Sequence, residues 1–194
     1  YADIVLLPSS LTYLLYTYYH SSSSVTRSSS LFSHPRCLFV LFFFNDTATT
    51  EISTLSLHDA LPISTAIEGA KLLEPLRPRW LEEPVRWADD RRELKLLSQK
   101  TSIPLSAGES ELTSWGCRSL IDEQSIDILQ FDCTMTGGFT EGRKLSALCE
   151  LNHVQVAPHH DCFIHAHIVA GSPAGCIVES FTDPERDPLQ AELY

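Results

Sequence analysis

Residues 65–194 are predicted to form an α/β fold, a partial (β/α) barrel in which parallel strands alternate with helices. Three observations predict it. From Thr65 onward, strand-like and helix-like stretches alternate at the size of strand–helix units, which implies βαβ connections. The stretches "ILQF" and "CIV" are nearly continuous apolar runs, as strands covered on both faces are. The polar residues that interrupt the pattern, Glu82, Glu109, Asp132, His159 and Glu179, each end a predicted strand.

The elements follow in order. "TAIEGAKLLE" puts Ile67, Ala70 and Leu73 on one helical face, and Pro75 stops the helix. "RWLEEP" is a short strand ending at Pro84. "DRRELKLLSQKT" is an amphipathic helix leading into the strand "IPLSAGES". "ELTSWGCRSLIDEQ" is helical and "IDILQFDC" is a strand. "TGGFTEGRKLSALCELN" is a glycine turn followed by a helix, and "VQVAPHH" is a strand. "CFIHAHIVAGSP" is helical, and "GCIVES" is the last strand.

Composition narrows the function classes. The formal net charge of −11 argues against a nucleic-acid surface. Only −2 of it lies before Thr65, from Arg27, Arg36, Asp3, Asp46, Glu51 and Asp59. The six cysteines include no CxxC pair, and the five after Thr65 read as reduced, small apolar residues of a cytoplasmic protein's core. "CLFVLFFF" (37–44) is far shorter than the roughly 20 residues a membrane-spanning helix needs, so no membrane role is expected.

Residues 1–64 follow other rules. They mix aromatic and Ser-rich tracts without caps or turns, and "NDTATTEISTLSLHDALPI" (Asn45–Ile63) has no helical or strand periodicity. That run resembles a short-read sequencing adapter translated in frame, with Ser53 standing where the adapter codon gives Tyr. Residues 1–64 are therefore expected to be an artefactual or non-native segment that does not fold, and the domain to begin at Thr65.

The five strand-end residues are 27, 23, 27 and 20 positions apart, one strand–helix unit each. Parallel strands in a barrel bring such positions to one mouth, where the active sites of that fold lie. Four carboxylates and one His gathered there repel each other unless protons or a cation intervene. A hard divalent ion with oxygen ligands is the simplest solution. Each residue alone also has a plain structural reading, and Asp132 in particular could be a helix N-cap before "TGG".

"WLEEP", "AGES", "FDCTMTGG", "VAPHH" and "IVES" resemble, in order and spacing, consecutive barrel motifs of the mandelate racemase/muconate-lactonizing branch of the enolase superfamily. The resemblance covers Thr65–Tyr194, the second half of such a barrel. It implies Glu82 and Glu109 as Mg²⁺ ligands. It implies Asp132 and His159 as an Asp–His dyad with His159 the general base, and Glu179 as the acid hydrogen-bonding the substrate carboxylate or its enolate. The expected chemistry is removal of a proton α to a carboxylate, leading to dehydration of a sugar acid or racemisation of a 2-hydroxy acid. A small carboxylate substrate and a homo-oligomeric parent enzyme are implied too. The third metal acid and a Lys motif would fall before Thr65. The literal 194-residue chain is expected to be inactive.

A competing possibility is a small zinc module in "HHDCFIHAH" (159–167). His165 and His167 lie on opposite sides of the predicted helix, and no CxxC or HxxxH pairing completes a tetrahedron. Glu83 is left outside the metal shell, because successive strand side chains point to opposite faces.

Overall fold

The computed structural model describes residues 40–44, 52–56, 62–87, 90–180 and 192, with only the backbone given for the first two segments. A six-stranded sheet runs in chain order: β1 (Val40–Phe44), β2 (Ile52–Ser56), β3 (Trp80–Glu82), β4 (Leu105–Ala107), β5 (Ile128–Leu129) and β6 (Gln155–Val156). β1 pairs antiparallel with β2, and every later pair is parallel. Sequential parallel order with intervening helices is the topology of one wall of a (β/α) barrel. The helices are α1 (Ile63–Leu73), α2 (Asp90–Ser98), α3 (Ser114–Asp122), α4 (Cys133–Thr136), α5 (Gly138–Leu151) and α6 (Cys162–Ala170). α1 starts two residues ahead of the boundary expected at Thr65, and β2 lies inside the adapter-like run. Most of the remainder of 1–64 falls outside the described residues.

Helix ends follow local chemistry. Thr113 caps α3, its hydroxyl accepting the Gly116 N–H at 3.2 Å. α4 was not anticipated from the sequence as an element. Gly137, at φ +115°, closes it and opens α5, a backbone turn that an L side chain resists.

Strand alternation sorts the core into two sides. Leu81, Leu105, Ala107, Leu129 and Val156 pack outward against helix residues that include Leu94, Leu97, Leu120, Leu145 and Ile168. Trp80, Ile128 and Ala157 form a separate cluster with Ile177 on the other side of the sheet. Positions two residues beyond each of these three are Glu82, Gln130 and His159, so the period-2 rule directs the polar strand ends to that inner side.

The last predicted strand, "GCIVES", is reduced to a single parallel bridge, Val156 to Gly175, with Cys176 N–H donating to the Val156 carbonyl. Its residues are half-buried rather than covered on both faces. The apolar run describes an interior strand, but among the described residues no further strand lies beside it. Cys117, Cys133, Cys149 and Cys162 are buried and reduced, Cys176 half-buried. Burial pushes the Cys117 and Cys149 thiols up to about 12, as inert core residues require. Among the described residues no helix is long and apolar enough to cross a membrane.

Arg91 ties α2 to the segment after β4. It donates to Asp90 (3.0 Å), Glu111 (2.5 Å) and the Ser119 hydroxyl (2.6 Å). Burial raises Asp90 to about 6, offset in part by Arg91 and reinforced by Glu111. A carboxyl whose folded value lies above its unfolded one holds its proton more tightly when folded. Its contribution to stability is therefore full below about pH 3.8 and is lost as pH rises through about 6. Comparing chemical denaturation of wild type and Asp90→Asn from pH 4 to 7.5, in a full-length protein carrying this domain, should show the extra fall in wild type only. The expected difference is roughly 1–3 kcal/mol; parallel curves would refute it.

Candidate active site

The inner side of the sheet ends in acids because β3, β4 and the 174–180 segment each deliver one there, and β6 delivers a histidine. His159 Nδ1 lies 2.9 Å from Glu179 Oε2 and 3.2 Å from Glu109 Oε2. Neither approach has hydrogen-bond alignment: Glu109 Oε2 and His159 Nδ1 are both buried without a hydrogen-bond partner. These are charge contacts. Glu82 is almost fully buried, and its Oε2 accepts from Gln130 Nε2 at 2.7 Å and Trp80 Nε1 at 3.3 Å. Glu179 Oε2 also accepts the His160 N–H at 2.9 Å, which pins the segment after β6 to the 174–180 segment.

The electrostatics follow from this crowding. Burial raises Glu82, the Gln130 bond opposes it, and the Glu179 and Glu109 charges add to the rise. Burial works against a charged His159, but contact with Glu179 and the charges of Glu109, Glu179 and Glu82 outweigh it and carry the imidazole up to about 9. Trp80, Glu82, Gln130, Ala157, Ile177 and Glu179 line one pocket on this side.

Asp132 stands apart from that group. It is the N-cap of α4, and its Oδ1 accepts the Thr134 N–H (2.8 Å) and hydroxyl (2.7 Å). The imidazole facing it is that of His165, at 3.5 Å, while His159 turns its Nδ1 to Glu109 and Glu179. The dyad implied by the resemblance is not formed in this arrangement; the capping role is. His165 is fully buried. Its Nδ1 donates to the His160 carbonyl (2.7 Å) and its Nε2 accepts the Cys133 N–H (3.0 Å), which defines the tautomer and leaves no nitrogen for a zinc ion.

Two residues were not selected from sequence. Gln130 reaches Glu82 across 48 positions of chain, and its Oε1 is buried without a hydrogen-bond partner. The available signal was a polar residue two places after Ile128, inside an apolar strand. Glu83 is buried, and its Oε1 accepts the Gly108 N–H at 2.9 Å; burial pushes it up to about 8 despite that bond.

Whether these residues fit a divalent cation can be judged from the donors. Glu109 offers a buried oxygen lacking a hydrogen bond, and Glu82 brings a second carboxylate to the same side. Both are hard oxygen donors suited to Mg²⁺. Among the described residues no group of three or more ligating side chains is assembled. In the β2–β3 register the position beside Glu82 is Ser56, not an acid. The two carboxylates fit as part of a ligand set.

A wall of a (β/α) barrel with acids and a histidine at its strand ends defines a barrel-mouth site of the α/β enzyme type. Residues 55–194 match the family described as Enolase C-terminal domain-like, and the chain belongs to that family. It is 40% identical over 106 residues to a D-mannonate dehydratase of Caulobacter sp. (strain K31), covering 53% of this chain and 26% of that protein. A mandelate racemase/muconate lactonizing enzyme from a marine actinobacterium superposes with a TM-score of 0.66 at 31% identity, over 70% of this chain and 38% of that one. The L-talarate dehydratase of Polaromonas sp. JS666, solved with Mg and L-glucarate, gives 0.64 at 26% identity, over 68% and 37%. The chain thus spans well under half the length of each of these proteins.

Proposed function

We propose that this domain belongs to a Mg²⁺-dependent enzyme that removes the proton α to a carboxylate and so dehydrates a sugar acid. The observation that carries this is the meeting of Glu82, Glu109, His159 and Glu179 on one side of the sheet. The dehydratases among its relatives favour dehydration over racemisation.

In this reading Glu82 and Glu109 hold the metal, with Gln130 and Trp80 orienting Glu82. A bound Mg²⁺ would supply electrophilic stabilisation of the charge that develops on the substrate carboxylate. His159 takes the α-proton once its ring has given up the proton that the surrounding acids favour. Glu179, fixed by the His160 N–H and carrying a proton in its carboxylic acid form during turnover, donates a hydrogen bond to the developing oxyanion. The β-hydroxyl then leaves as water by taking the proton that His159 has just accepted, which completes dehydration; return of a proton to the α-carbon gives racemisation instead. Asp132 acts on this site from the α4 N-terminus, as the partner that His159 acquires if its ring turns away from Glu109 and Glu179. The parent enzyme is proposed to be a homo-oligomer.

The test is a panel of sugar acids, D-mannonate and L-glucarate included, given to a full-length protein carrying this domain with Mg²⁺. Formation of a 2-keto-3-deoxy acid is the expected result. Exchange of the α-proton without dehydration would reassign the enzyme as a racemase. No exchange with any 2-hydroxy acid would overturn the reading.

A further inference from the structure

We infer that Glu83, the second acid of "EEP", is a positioning residue that aims Glu109, an inference that rests on Glu109 being a metal ligand. The backbone carries the argument. In the β3–β4 ladder Leu81 pairs with Leu105 and Glu82 with Ser106, and the Glu83 N–H donates to the Ser106 carbonyl at 3.0 Å. Continued one step, a parallel ladder would send the Gly108 N–H to the Glu83 carbonyl. Glu83 instead adopts φ +42°, a left-handed conformation costly for a residue with a side chain, and the main chain leaves the ladder there. Its own carboxyl then takes the vacated role, Oε1 accepting the Gly108 N–H at 2.9 Å.

That bond is not optional packing. Both Glu83 and Gly108 are buried, and a buried N–H without an acceptor is strongly disfavoured. Gly108 is itself restricted: its φ is +127°, and an added Cβ would lie 3.1 Å from Leu129 Cδ1 and 3.4 Å from the Phe131 backbone nitrogen. The chain therefore turns sharply at Gly108, and the next residue is Glu109. A hydrogen bond one residue before a ligand, at a left-handed glycine, sets the direction in which that ligand leaves the strand. The Gly108 carbonyl is held as well, accepting the Glu111 N–H at 3.2 Å. Glu83 thus couples the ends of two adjacent strands, each bearing one of the two acids assigned to the metal.

The role requires a carbonyl-type acceptor and not a charge, so Glu83→Gln should preserve it and Glu83→Leu should abolish it. In a full-length protein carrying this domain, calorimetric titration with Mg²⁺ alone should show Glu83→Gln within about threefold of wild type. Glu83→Leu should be weakened about tenfold, the low end of losses seen when the partner of a metal ligand is removed. Amide exchange at Gly108 should be slow in wild type and in Glu83→Gln. Wild-type Mg²⁺ affinity in Glu83→Leu, equal weakening in both variants, or rapid Gly108 exchange in wild type would each overturn the inference. Should Glu83→Leu fail to fold, the Gln variant and the Gly108 exchange still decide. Glu109→Gln serves as reference. If it leaves Mg²⁺ binding unchanged, the metal reading and this inference fall together; if it weakens binding while Glu83→Leu does not, only this inference falls.

Discussion

His159→Asn is expected to abolish exchange of the substrate α-proton with solvent deuterium while Mg²⁺ binding persists. His159 is the imidazole that sits among the acids of the inner side, 2.9 Å from Glu179 and 3.2 Å from Glu109. It follows Ala157 by two positions, which directs it to the side that holds the pocket. Asn keeps a polar side chain of similar reach but has no basic nitrogen, so a base defect appears without a cavity or a lost ligand. Deuterium wash-in followed by mass spectrometry reads the exchange, and Mg²⁺ titration of the same variant reads the site. Retained exchange would place the base elsewhere, and the general-base role given to His159 would fail. Loss of Mg²⁺ binding together with exchange would make His159 structural.

Glu179→Gln should leave Mg²⁺ binding and α-proton geometry in place and lower kcat by roughly two to three orders of magnitude, the scale of losing one stabiliser of a developing oxyanion. The substitution is conservative for the fold, because a Gln carbonyl still accepts the His160 N–H that Glu179 Oε2 holds at 2.9 Å. A change confined to KM would mean that Glu179 binds substrate and transition state equally. Unchanged kcat and KM would remove it from the chemistry. The base and stabiliser roles are thus separable: His159→Asn stops proton exchange, and Glu179→Gln slows turnover in an enzyme that still binds metal.

Much of the architecture was legible because it depends on local pattern. Helical periodicity located α1, α2, α3, α5 and α6, and their alternation with apolar runs implied the parallel order that β3–β6 adopt; β2, inside the adapter-like run, was outside that pattern. Spacing at one strand–helix unit drew attention to Glu82, Glu109, His159 and Glu179; Glu83 lies past the end of β3 at φ +42°, so strand alternation does not set its direction. An apolar run such as "GCIVES" does not state whether a neighbour covers it, and in the structure it makes a single parallel bridge.

By itself the sequence determined which residues could reach the inner side, because a period of two along a strand is a property of the chain alone. Only the tertiary structure decided what each of them touches. Asp132 serves the α4 N-terminus and His159 turns to Glu109 and Glu179, a choice made by competition among charges brought together from distant segments. The Gln130–Glu82 bond spans 48 residues, and the Glu83–Gly108 bond exists only because the backbone departs from the ladder at φ +42°. Such contacts depend on register, burial and backbone conformation at once, and no spacing rule along the chain encodes all three.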